Sequence, residues 1–239
     1  MTVTYQPILV LLSVGVAIIG SLTALALTAL SNIEDTTPGQ KTFALVSGGL
    51  IMGATIWSMH FVAMMAVDFP VLVTYNAAET FSSIGIAIGA TGTGLFFASS
   101  RPLGWPSIPL GGVLMGLGIA GMHYLGMSAI RGCGLDYDYN LVATSIGMAI
   151  VASMAALWFA FHKRSVAMTV AGGILQGLAI ASMHYTGMAA TYFLPMGAEI
   201  EIIPPILSQS NMAYMIACGV VLMSVVNLAF VALMTREPA

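Results

Sequence analysis

Charge is what this chain has least of. Only 6% of its 239 residues are Asp, Glu, Lys or Arg, where a soluble domain carries about a quarter. So little charge cannot cover the surface of a soluble globule, which excludes a soluble enzyme. A net charge of −3 with no basic run excludes a nucleic-acid binder. The 59% apolar content, free of low-complexity stretches, excludes a disordered chain. Cysteine is also scarce, and two residues make no disulfide framework. The apolar runs are too long and too many for a signal peptide ahead of a secreted domain. An all-α, polytopic membrane protein remains, with a mean hydropathy of +0.97. Methionine is the one residue in evident excess, at 18.

A bilayer core about 30 Å thick needs roughly 20 apolar residues per helix. Seven stretches qualify: Pro7–Leu30, Thr42–Val67, Asn76–Ser99, Ser107–Ile130, Asn140–Phe161, Val166–Phe193 and Asn211–Met234. The breaks between them read as short loops, and the chain as one transmembrane domain over residues 1–239. Lys41, Arg101, Lys163, Arg164 and Arg236 fall on one side of this map, and Arg131 stands on the other with Asp68, Asp136, Asp138, Glu199 and Glu201. The positive-inside rule then predicts an N-terminus outside and a C-terminus in the cytoplasm of a bacterial inner membrane.

Three of the expected helices carry one pattern. The second holds Ser58-Met59-His60-Phe61-Val62-Ala63-Met64, the fourth Gly121-Met122-His123-Tyr124-Leu125-Gly126-Met127, and the sixth Ser182-Met183-His184-Tyr185-Thr186-Gly187-Met188. The His residues are 63 and 61 positions apart, so the repeating unit is a helical hairpin. Glycine stands 11 and 7 positions before each His (Gly49 and Gly53, Gly112 and Gly116, Gly173 and Gly177), and Ile56, Ile119 and Ile180 stand 4 before. At about 100° per residue, the positions −11, −7, −4, 0 and +4 share one helical stripe. G-x-x-x-G admits close backbone approach. The stripe therefore predicts three parallel motif helices packed on one another through their inner halves, with His60, His123 and His184 facing one point at a common depth.

An ionisable residue inside a membrane is a candidate functional group. A single buried His can merely bridge helices, whereas three at equal depth in one pattern indicate a shared site. Imidazole ligates zinc, copper, iron or nickel, and thioether sulfur selects Cu(I). The candidate metal ligands are His60, His123 and His184 with Met64, Met127 and Met188 on the same stripe, and with Met59, Met122 and Met183 about 100° away. The other Met residues read as packing. Glu79 reads either as a carboxylate orienting a ligating His or as a helix N-terminal acid. Cys218 reads as a buried inert thiol or a ligand, His162 as interface charge, and Trp57, Trp105 and Trp158 as interface or packing residues.

The third motif copy, Met183-His184-Tyr185-Thr186, spells the name of the MHYT domain, and the chain resembles that bacterial integral-membrane sensor family over nearly its whole length. The first copy has Phe61 and Val62 in place of Tyr and Thr, and the second has Leu125 in place of Thr. The resemblance implies a copper site made by the motif residues, sensing of a diatomic gas (oxygen, carbon monoxide or nitric oxide), and a cytoplasmic output domain that makes or degrades cyclic di-GMP. The chain itself is then a sensor and not an enzyme. Two other readings stand beside it. A seven-helix zinc hydrolase needs an open metal position and a base, yet no carboxylate accompanies the motifs. Copper transport or storage needs donors along a path, yet the repeated donors gather at one depth. A haem site is poorly served by three equivalent His.

Overall fold

The computed structural model describes residues 1–31, 36–99, 107–162 and 165–195, together with residues 216, 218, 219, 221, 222, 224 and 225. Six helices fill the described chain: α1 (Pro7–Leu30), α2 (Pro38–Met65), α3 (Ala77–Ser99), α4 (Ser107–Ser128), α5 (Tyr139–Phe161) and α6 (Val166–Ala189). All six are long and apolar enough to cross a membrane. The expected seventh span, Asn211–Met234, lies mostly outside the described residues, and those described within it are helical. Arg101, Lys163, Arg164, Glu199, Glu201, Arg236 and Trp105 also lie outside them, and with them most of the charge on which the expected orientation rests.

Helix starts follow local chemistry. Pro7 opens α1 at a position where its missing N–H is no loss. Thr37 and Gln40 form a reciprocal capping box, so α2 begins four residues earlier than Thr42. Asp138 accepts from the Asn140 and Leu141 amides, and Ser165 from Met168. Large apolar side chains such as Ile8, Leu11, Phe81, Phe96 and Val151 point outward, as a lipid-facing surface requires.

The expected loops at one end of the bundle contain strands. β1 (Thr4–Tyr5) pairs with β2 (Val67–Asp68), β3 (Thr74–Tyr75) with β4 (Ile130–Arg131), and β5 (Cys133–Tyr137) with β6 (Thr191–Pro195), all antiparallel. Beside each pair runs one further backbone bond of 2.8 Å: Gln6 to Ala66, Asn76 to Ala129 and Asp138 to Ala190. These alanines stand six residues after His60, His123 and His184, and all three are fully buried. The strands explain why α2, α4 and α6 stop short of Val67, Ile130 and Phe193. Those residues are extended, and their amides are needed in the ladders.

The helices close into a ring in chain order, with α6 returning to α1. The glycine stripes do not bring the motif helices onto one another, contrary to the helical-wheel expectation. A Cβ on Gly53 would lie 2.6 Å from Ile88 Cα in α3, one on Gly116 2.5 Å from Ile150 Cα in α5, and one on Gly177 2.6 Å from Ile18 Cα in α1. Each motif helix is thus docked by its glycines onto a helix without the motif. The inward-facing row instead runs back from His in steps of four. Ile56, Ile119 and Ile180 come first, then Met52, Met115 and Gln176, and these residues line the central cavities. The difference comes from helix crossing: rows four apart track the bundle centre while the −7 and −11 positions swing to the side.

The aromatic residue after each His completes the lateral docking. Tyr124 Oη lies 2.7 Å from Ser145 Oγ of α5, and Tyr185 Oη 3.0 Å from Ser13 Oγ of α1. Where the first copy has Phe61, Trp57 substitutes. Its indole N–H donates to Ser83 Oγ of α3 at 2.9 Å. Trp57 is therefore a buried packing residue. Trp158 is more exposed and stacks on His162, which lies at the opposite end of the bundle from the strands.

Candidate metal centre

His60, His123 and His184 each sit five residues before the last residue of their helix, at Met65, Ser128 and Ala189. That equal depth is about 7.5 Å of helix, and it replaces the unequal 7, 7 and 9 residues that the longer expected spans give. Each His is 1% exposed. The three Nδ1 atoms form a nearly equilateral triangle with edges of 3.1, 3.2 and 3.2 Å. The rings stand almost perpendicular to one another, at 78–87°, and each is edge-on to the aromatic residue that follows it.

This triangle cannot be a closed hydrogen-bond network. A hydrogen bond between two Nδ1 atoms needs one that carries hydrogen and one that is bare. Among three atoms with two possible states, at least two are alike. One edge is therefore always lone pair against lone pair or N–H against N–H, in a site where each ring is 1% exposed. A cation at the centre removes the conflict, because all three Nδ1 can then be bare and directed at it. The spacing suits this: metal–nitrogen bonds of about 2.0 Å in a tetrahedral shell put nitrogens roughly 3.3 Å apart. The donor set and its geometry thus fit a metal ion held through Nδ1.

The Nε2 atoms point away from the triangle and are buried without a partner. His60 Nε2 lies over Gly126 and His123 Nε2 over Gly187, where a side-chain carbon on either glycine would collide with the ring. These glycines stand three residues after the His of their own helix, and the corresponding position in α2 is Ala63. The His60 and His123 rings are therefore each wedged against the next motif helix, α4 and α6. The recurrence of Gly126 and Gly187 is visible in the sequence, but their role as ring cradles needs the tertiary contact.

All six motif methionines are buried, in two separate clusters. Met64, Met127 and Met188 pack toward the strand-bearing end with Val67, Val73, Ile130, Cys133 and Phe193. Met59, Met122 and Met183 pack with the Ile56, Ile119 and Ile180 layer. Glu79 is not a partner of the His rings. Its Oε1 accepts from Arg131 Nη2 at 2.7 Å near the surface, in the first turn of α3. Cys218 is exposed, which corrects the expectation of a buried thiol. Cys133 is the buried cysteine, and burial pushes its thiol pKa up.

A family model described as a bacterial signalling protein N-terminal repeat, MHYT, matches the chain three times, at residues 53–111, 116–173 and 177–237. The chain belongs to the MHYT family. Among curated MHYT relatives, the bifunctional diguanylate cyclase/cyclic di-GMP phosphodiesterase MucR of Pseudomonas aeruginosa is 39% identical over 202 residues, covering 82% of this chain and 29% of that protein. The signaling protein YkoW of Bacillus subtilis is 36% identical, covering 84% of this chain and 26% of its own. The cyclic di-GMP phosphodiesterase NbdA of P. aeruginosa is 33% identical, with 83% and 26% covered. The MHYT chain described here thus spans less than a third of the length of these relatives. No solved structure matches it.

Proposed function

We propose that this chain is a metal-binding sensory module in the membrane, holding copper through Nδ1 of His60, His123 and His184, sensing a diatomic gas there and signalling to a cytoplasmic output domain of cyclic di-GMP metabolism. The observation that carries the metal is the Nδ1 triangle of 3.1–3.2 Å, which three imidazoles cannot satisfy among themselves. Copper is favoured over zinc by the six motif thioethers in the layers on either side of the trio. Met64, Met127 and Met188 are the better candidates for a further ligand, being on the His row. A copper ion would supply a change of oxidation state or ligation in response to an oxygen, carbon monoxide or nitric oxide molecule. The protein's own part is to hold the rings in one orientation, exclude water, and link the trio to three helices. The output domain is inferred from the printed functions of MucR and NbdA, which are longer proteins. The charge asymmetry of the sequence favours the strand-bearing end outside and the opposite end in the cytoplasm.

The chain is proposed to have no catalytic role of its own. The one group of three or more potential metal-binding His, Cys, Asp or Glu side chains among the described residues is the His trio, without a carboxylate to serve as a base. Element analysis of the purified protein, paired with electron paramagnetic resonance, tests the reading. One copper per chain, lost in His123→Ala, is the expected result. Copper far below one per chain and indifferent to that substitution overturns it, and stoichiometric zinc moves the site to the hydrolase reading.

A further inference from the structure

The His trio is sealed from water, and a ligand arriving there needs a way in. Toward the strand-bearing end the trio is covered by the Met64, Met127 and Met188 cluster and its Val, Ile and Phe neighbours. On the other side, one helical turn away, the layer of Ile56, Ile119 and Ile180 borders a cavity of about 20 Å³. Met183, directly before His184, also lines it. The rest of the lining comes from Met115, Gln176 and a run of small residues, Ala149, Ala152, Ser153, Ala156 and Ala179. Ala152 and Ala179 are half-buried, on the α5–α6 side where Val151 is 67% exposed toward the lipid. The cavity therefore extends from the Ile layer to a seam of short side chains at the bundle surface.

Its chemistry selects the occupant. The volume accepts one molecule of water size or a little larger. The lining surface is almost wholly apolar. A buried water ordinarily makes about three hydrogen bonds; here the one lining acceptor without a partner among the described residues is Gln176 Oε1, whose side-chain amide N–H donates to Met52 Sδ at 3.7 Å. Empty cavities in proteins are apolar, and a larger engineered one of about 150 Å³ stays dry and takes up xenon. An uncharged molecule of two heavy atoms partitions into hydrocarbon without losing hydrogen bonds, so the lipid is its natural reservoir.

We propose that this cavity is a docking chamber for an apolar diatomic gas, entered from the lipid between Ala152 and Ala179 and closed off from the His trio by the Ile56, Ile119 and Ile180 layer. The inference rests on the metal-sensor reading and adds the residues that admit the ligand. Passage from the chamber to the trio needs a rotamer change in one of these three isoleucines, so their layer sets the last barrier.

The test uses the copper-loaded protein in nanodiscs, with two readouts. Xenon-129 magnetic resonance reads occupancy of the chamber, and the association rate of carbon monoxide reads delivery. Wild type is expected to take up one xenon per chain. Ala152→Phe fills the chamber and is expected to abolish xenon uptake and slow association at least tenfold, with metal content unchanged. Val151→Phe, one residue away on the lipid-facing surface, is expected to change neither. Should Ala152→Phe not fold, Ala179→Leu narrows the same entrance. Copper-loaded protein that takes up no xenon, or whose association rate is the same in the filled variants, overturns the chamber and leaves the metal site standing. Wild-type protein without copper or carbon monoxide binding overturns the sensor reading, and the chamber with it.

Discussion

Gly126 of α4 lies directly against Nε2 of His60 of α2, in the space that a side chain at 126 would occupy. The absence of a side chain at 126 lets the ring sit close against α4, and that position places Nδ1 on the triangle. Gly126→Ala is expected to displace His60 from the triangle. We expect at least a tenfold loss of metal affinity, comparable to the loss of a residue that orients a ligand, with helix content retained. Circular dichroism and metal titration check this. Gly187→Ala is expected to act in the same way through His123.

The glycines seven residues before each His have a different task, and their substitution should fail differently. A Cβ at Gly116 meets the α5 backbone at Ile150, which no side-chain rotamer can relieve. Gly116→Ala is expected to destabilise the bundle by about 1–3 kcal/mol or more, as overpacking does. A thermal melt of the metal-free protein should show the loss. Gly121→Ala, where a Cβ meets nothing within 4 Å, is the neutral comparison.

The tyrosines of the motif serve docking and not ligation. Tyr124→Phe removes the bond to Ser145 Oγ and is expected to cost about 1 kcal/mol, leaving metal content intact. The first copy already lives with Phe61, since Trp57 bonds to Ser83 in its place. Trp57→Phe should therefore cost at least as much as Tyr124→Phe. Copper loss in Tyr124→Phe at unchanged stability would contradict this division of roles.

Glu79→Gln separates a carboxylate that orients a ligand from a surface ion pair. Its partner Arg131 is 45% exposed and Glu79 33% exposed, so the pair contributes at most about 1 kcal/mol. Metal affinity is expected to stay within twofold of wild type. Raising the salt concentration should erase what stability difference there is.

Much of this arrangement was legible in the residues. Apolar runs located six helices, with α1 and α3–α5 close to their expected bounds, because a membrane span is a long one-dimensional signal. The 63- and 61-residue spacing brought three His to one depth, because helical rise converts sequence offset directly into height. The strand pairs were not legible: two-residue strands such as Thr4–Tyr5 and Val67–Asp68 carry no alternating pattern. The fully buried alanines six residues after each His were a recurring signal that composition alone does not interpret. The direction of the glycine stripes is not legible on a helical wheel, which assumes straight, parallel helices, whereas crossing turns positions −7 and −11 from the centre to the flank. The choice between Nδ1 and Nε2 depends on what touches the far edge of the ring, which only three-dimensional contact supplies.

The three backbone bonds at Ala66, Ala129 and Ala190 give the bundle a clamped rim. Each fastens the finish of a His-bearing helix to the start of the helix before it, and each is reinforced by a strand pair. Sliding one His helix along its axis would break that set of bonds, whereas tilting it about the clamp would not. A rearrangement at the trio, about one and a half turns from this fulcrum, would therefore emerge as a splaying of the far ends, multiplied by the length of the lever.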